Sequence, residues 1–124
     1  IMKVFVLVLG LLSGCVSAHQ FTPTYPELSP SHMTGVYKAE MILFNTRKEI
    51  EYYALNVFDK DWAPVRFATE NRLVKIDYEE RKYVNIYISK KDVRDASYIC
   101  SKSKILSSVK DNSIVASRIC SKIK

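Results

Sequence analysis

Residues 83–88 read Tyr-Val-Asn-Ile-Tyr-Ile, which puts Val84, Ile86 and Ile88 on one side of an extended chain and Tyr83, Asn85 and Tyr87 on the other. A two-residue repeat marks a strand with one face in a core and one in water, whereas a helix repeats every three to four residues. Upstream, 73–78 splits less cleanly, with Lys75 and Asp77 turned outward of Leu73, Val74 and Ile76. Tyr52 and Tyr53 are adjacent, so at most one of them enters a core.

From position 34 on, apolar runs of strand length recur every 8 to 14 residues with turn chemistry between them, the spacing of a sandwich or barrel. The runs predict seven strands, at 36–44, 50–58, 65–68, 73–78, 83–88, 98–106 and 114–123. Asn45-Thr46-Arg47-Lys48, Asp59-Lys60-Asp61 and Glu79-Glu80-Arg81-Lys82 form corners, being residues that bond locally or tolerate tight backbone. The segment 89–96 reads as a single helical turn, because Ser89 is followed three residues later by Asp92. Trp62 reads as a core or turn-packing aromatic.

The 124 residues are 48% hydrophobic and 26% charged, with three Gly and four Pro, which suits one domain and excludes collagen-like, disordered and multi-span chains. Ahead of the strands, 19–33 reads HQFTPTYPELSPSHM, where Pro23, Pro26 and Pro30 bar both a helix and a paired central strand. This stretch is either a leader left after processing or an extended arm whose Phe21, Tyr25 and Leu28 pack on the domain at 34–124 or on a partner.

Residues 2–18 read MKVFVLVLGLLSGCVSA, a cation followed by an apolar run too short to span a bilayer and then small residues, the pattern of a secretory signal peptide. Two cleavage chemistries fit its end. Val16-Ser17-Ala18 suits signal peptidase and would make His19 the mature terminus, while Leu12-Ser13-Gly14-Cys15 resembles the bacterial lipobox, which would lipidate Cys15. The first gives a periplasmic or secreted protein, the second an outer-membrane-anchored lipoprotein. Either way only Cys100 and Cys120 remain in the domain, and two cysteines in an exported chain most simply form one disulfide.

Residues 99–104 read ICSKSK and 119–124 read ICSKIK, a repeat 20 residues apart that a hairpin explains. Paired antiparallel with positions summing to 220, Cys100 lies opposite Cys120, which suits a disulfide best at a non-hydrogen-bonded pair. Ile99, Val115, Ile119 and Ile123 then face the core, and Lys102 and Arg118 share the wetter face with the cysteines.

Residues 19–99 carry 12 Lys and Arg against 12 Asp and Glu, so they have no net charge. The terminal segment carries Lys102, Lys104, Lys110, Arg118, Lys122 and Lys124 against Asp111 alone, a candidate basic binding surface of net charge +5. Such an edge can meet an anionic surface or an acidic partner, or it can simply keep an edge strand from aggregating. No nucleic-acid recognition motif accompanies it.

No Gly-x-Ser-x-Gly, His-Glu-x-x-His or phosphate loop occurs, and His19 and His32 both lie in the Pro-rich segment. The expectation is therefore a protein that is not an enzyme, with no catalytic residues, no cofactor and no metal site. Glu49, Glu51, Glu79 and Glu80 read as solvated charges.

Residues 41–65, MILFNTRKEIEYYALNVFDKDWAPV, give a strand, an Asn-led turn and a strand running into a polar corner, followed by RLVKIDYEERKYVNIYI at 72–88. This pattern resembles the amino-terminal immunoglobulin-like domain of periplasmic pilus chaperones. The resemblance implies an immunoglobulin-like antiparallel sandwich that works by binding protein; a second domain has no room here, and no cleft residue is carried over. The chain is also similar to short signal-bearing proteins of marine bacteriophages, which implies a virus-encoded origin and no role.

The reading is thus a single all-β, immunoglobulin-like sandwich of about seven strands with a disulfide-bridged terminal hairpin. It would serve as an exported, non-enzymatic binding or assembly module of the cell envelope or a virus particle, taking a protein partner through a sheet edge or the basic hairpin. The alternative is a lipoprotein anchored in the membrane only through Cys15, masking an outer-membrane receptor in superinfection exclusion.

Overall fold

The computed structural model describes residues 19–105 and 116–124. Eight strands and one helical turn follow in order: β1 (Gln20–Thr22), β2 (Ser29–Pro30), β3 (Val36–Phe44), β4 (Tyr52–Phe58), β5 (Leu73–Lys75), β6 (Arg81–Ser89), α1 (Lys90–Val93), β7 (Tyr98–Lys104) and β8 (Arg118–Lys122). In the first sheet β3 pairs with β6 along its whole length and carries β1 and β2 on its other edge. The second sheet runs β5-β4-β7-β8. All pairs are antiparallel, and β3 with β6 facing β4 with β7 and β8 is the B–E and C–F–G pairing of an immunoglobulin fold.

Alternation decides what each sheet buries. Ala39, Met41 and Leu43 of β3 and Ile86 and Ile88 of β6 point inward from the first sheet, and all five are fully buried. Tyr53, Leu55 and Val57 of β4, Val74 of β5 and Ile99 of β7 meet them from the second. Tyr53 is thus the core member of the tyrosine pair, and Tyr52 lies outward, half-buried.

Three strands keep their place with shifted ends, β6 running 81–89 rather than 83–88, β7 ending at Lys104 rather than 106 and β8 covering Arg118–Lys122 rather than 114–123, and three others differ more. Residues 65–68 form none, because the segment crosses between the sheets: Val65 N–H donates to Val57 O of the second, and Ala68 exchanges two bonds with Tyr87 of the first. The strand expected at 73–78 stops at Lys75, where the chain enters a turn that holds Glu79 at φ 64°. The strand expected at 50–58 begins at Tyr52, since Ile50 lies in the preceding turn with its carbonyl bonded to the Asn45 side chain.

Two further strands lie in the Pro-rich segment. β1 places Phe21 in the core and β2 pairs beside Tyr37, with Leu28 packed on the core between them, while Tyr25 stays exposed. Pro30 needs no donor there because β2 is an edge strand. The helical turn at α1 follows Ser89, whose hydroxyl donates to Asp92 at 2.7 Å.

Candidate functional site

The repeat at 99–104 and 119–124 becomes the β7–β8 hairpin in the expected register, with Tyr98 opposite Lys122 and Cys100 opposite Cys120. Ser103 N–H donates to Ser117 O and Ile123 N–H to Ser97 O, so odd-numbered pairs carry the ladder bonds. Cys100 and Cys120 therefore occupy a non-hydrogen-bonded pair, with Cα atoms 4.1 Å apart and the disulfide formed. They point away from the core, on the outer face of the second sheet.

That face collects the charge. Even positions put Lys102 and Lys104 of β7 and Arg118 and Lys122 of β8 on it, and Lys75 joins them from β5, since Tyr52 pairs with both Lys75 and Lys104. No carboxylate occurs at an outward position of the four strands. None of the five cations is ion-paired with a described residue. Lys124 lies just beyond β8 and reaches Glu27 at 3.4 Å. Lys110 and Cys15 lie outside the described residues, as does Val115.

One end of the face is aromatic. Asp59 Oδ1 accepts the N–H groups of Asp61 and Ala63 at 2.8 and 2.9 Å, fixing a tight turn in which Trp62 has φ 65°. The turn lays the Trp62 ring flat on Tyr98, with centroids 4.3 Å apart and planes 7° apart. Trp62 is thus a turn-packing aromatic on the outer face and remains 45% exposed. Arg118 pairs with Lys102, four residues along from the Lys122 row, yet its guanidinium lies 5.2 Å from the Trp62 ring and 5.6 Å from Phe58. Its side chain therefore runs along the strand past the disulfide.

Comparison with known proteins bears on the fold. No family model matches the chain, and no curated protein sequence does. Among solved structures, the crystal structure of the E. coli chaperone DraB is similar at a TM-score of 0.65 and 16% identity, over 86% of this chain and 53% of the chaperone's. The two share a fold. The chain spans about half the length of that chaperone, consistent with the resemblance to a single pilus-chaperone domain; the phage likeness gains no support.

The outer edge of β8 is only partly covered. Lys122 and Lys124 donate to the carbonyls of Thr24 and Pro26, so 24–26 runs parallel beside the last residues of the chain, where Pro26 has no N–H to return. Among the described residues, the N–H groups of Arg118 and Cys120 point the same way and meet no backbone acceptor.

The inner side of the hairpin holds a polar seam that the sequence reading missed. Ser101, Ser103 and Ser121 share the inward parity of Ile99 and Ile119, and all three are buried. His19 plugs the seam: Nε2 lies 2.8 Å from Ser101 Oγ and 3.2 Å from Ser101 O, and Nδ1 lies 3.1 Å from Ser117 Oγ. A neutral ring donating through Nε2 and accepting at Nδ1 satisfies all three contacts. His19 also packs against Tyr53, at 4.6 Å between centroids. The Ser101–His19 pair resembles a nucleophile with its base, but both residues are buried and, among the described residues, the other ring nitrogen meets Ser117 rather than a carboxylate.

Burial pushes the His19 ring down to about 4, opposed by its bond to Ser101 O and aided by the Arg47 charge. The unfolded chain then binds the proton that the folded one refuses, so stability is full above pH 6.5 and is lost as pH falls toward 4. The domain is expected to lose about 2 kcal/mol between roughly pH 7 and 5, and His19→Gln is expected to flatten that slope. Urea midpoints across this range check it, and an unchanged slope in H19Q would contradict it.

Proposed function

We propose that this chain is an exported, non-enzymatic binding or assembly module of the envelope or of a particle built there, taking a protein partner along the outer edge of β8. One observation carries the reading: an edge strand whose Arg118 and Cys120 amides meet no backbone acceptor among the described residues, held rigid by a disulfide to its neighbour. Such an edge can accept an added strand through main-chain bonds. The disulfide supports export, since thiols stay reduced in the cytosol. The fold likeness to a chaperone supports a protein as the partner.

Arg118→Pro tests the edge, because the N–H it removes points away from β7 and its loss spares the ladder. Capture of an envelope partner is expected to fall more than about tenfold, equivalent to one or two main-chain hydrogen bonds. Arg118→Ala keeps the N–H and is expected to retain capture. Equal loss in both variants, with both folded, would assign the effect to the guanidinium and refute edge pairing.

A further inference from the structure

We propose that the outer face of the second sheet is a docking surface for an anionic phospholipid bilayer. The face shares Arg118 with the β8 edge, but its test is made at Lys102 and Lys104 of β7, which the edge does not use, so the two readings can fail separately.

The first observation is charge without compensation. Lys75, Lys102, Lys104, Arg118 and Lys122 occupy outward positions on three strands, and no outward position carries a carboxylate. Lys102 and Arg118 stand directly opposite each other, and Lys75 and Lys104 flank Tyr52. These four cations are thus on the order of 5 to 10 Å from a neighbour at their Cα atoms, and Lys122 stands four residues farther along β8. The nearest carboxylates lie beyond the strand ends: Glu51 just before β4, Asp77 just after β5, and Asp59 and Asp61 in the turn after β4, where Asp59 is engaged by backbone N–H groups. The opposite sheet offers no such field: its outward Lys38 is paired with Glu40 at 3.1 Å.

The second observation is shape. Two cavities among the described residues, of about 500 and 540 Å³, open between the edges of the two sheets. The first is lined by Leu28, Val93 and Ile123, and the second by Val74 and Val84, reaching only Lys75 of the basic face. Neither cavity is centred on the face, whose described cations are spread over three strands, which suits an extended anionic plane better than one small ligand.

The third is the aromatic end. Trp62 and Tyr98 stack flat beside Lys122, and Trp62 is half-exposed. Rings with an apolar body and a polar tip settle at the headgroup level of a bilayer, alongside Lys stems that lay their methylenes on apolar surface. Each Lys near an anionic leaflet strengthens binding about fivefold.

Trp62 is the one tryptophan of the chain, so its emission reports on this face alone and not on residues 2–18. The full chain is mixed with vesicles of phosphatidylglycerol and phosphatidylcholine in equal parts, or of phosphatidylcholine only, with brominated acyl chains as quencher. With the anionic vesicles, Trp62 emission is expected to shift to the blue and be quenched, and about 0.5 M salt is expected to reverse both. Lys102→Gln with Lys104→Gln is expected to weaken the anionic-vesicle response about 25-fold. Lys90→Gln with Lys91→Gln, an equal change of charge on α1, is expected to leave it within about twofold. Three results would overturn the proposal. One is a chain that pellets with vesicles while Trp62 stays unquenched, which would place membrane contact in 2–18. Another is equal weakening by the two lysine pairs. The third is tight binding of soluble dextran sulfate with no vesicle response, which would make the ligand a polyanionic chain.

Discussion

Replacing Asn45 with alanine is expected to cost about 4 kcal/mol of folding stability, more than any other single side-chain change considered for this domain. The residue stands where β3 ends, and its side chain is fully buried. Nδ2 donates to Ile50 O at 2.7 Å and to Ile76 O at 2.9 Å; Oδ1 accepts the Arg47 N–H at 2.9 Å and the Tyr53 hydroxyl. Those partners lead into β4, β5 and the turn between β3 and β4, so one amide joins the end of the first sheet to two strands of the second.

Alanine would leave two carbonyls, an amide and a phenol without that partner, and each buried group so stranded costs roughly 1 to 3 kcal/mol before any relaxation or water entry. Burial pushes the Tyr53 phenol up to about 12, so it remains a donor throughout the neutral range. Tyr53→Phe removes one member and is expected to cost about 1 kcal/mol, with the double variant less destabilised than the sum. Urea unfolding at neutral pH checks all three. A loss under about 1 kcal/mol in N45A would show that the amide does not clasp the sheets.

Asn45 also shows where sequence reading stops. Its place in a turn was legible, because a polar four-residue corner interrupts two apolar runs. Its burial was not, since the carbonyl of Ile76 is 31 residues away and reaches it only through the second sheet. The same division holds elsewhere. β3 appears with the expected bounds because Ala39, Met41 and Leu43 alternate without a break, and the hairpin register follows from the ICSK repeats. β1 and β2 contribute too few residues to show a period, and they exist because β3 offers them an edge.

At the candidate site, parity placed Lys102 and Arg118 beside the cysteines. The same parity puts Ser101, Ser103 and Ser121 inward, where a hydroxyl needs a partner, and only the fold supplies the His19 ring that occupies the seam. Lys75 was missed because its charge joins the hairpin only through β4. Trp62 could be assigned to packing but not to a side of the sheet, which the Asp59 turn decides.

Removing the Cys100–Cys120 bridge, by paired Cys→Ala substitution or by reduction, is expected to destabilise the domain by about 3 kcal/mol and lower its Tm by roughly 10 to 20 °C. The bridge closes 20 residues of chain, and the strand it holds needs holding. β8 has five residues, a ladder to β7 on one side and, on the other, one bond from Lys122 to Thr24 O, with a second from Lys124 to Pro26 O just beyond the strand. Both proposed surfaces use it: the edge through Arg118 and Cys120, the basic face through Arg118 and Lys122. The loss should therefore be local before it is global. Amide exchange at Ile119 and Ser121 is expected to accelerate more than at Ile86 and Ile88, which sit mid-sheet in the first layer. Uniform acceleration would instead make the bridge a global staple with no particular claim on the hairpin. For a domain of this size, a loss of about 3 kcal/mol is a large share of the 5 to 15 kcal/mol typical of folded proteins. In a reducing compartment the hairpin would fray first, taking the β8 edge and two of the five face cations with it, and this ties the proposed binding surfaces to an oxidising location.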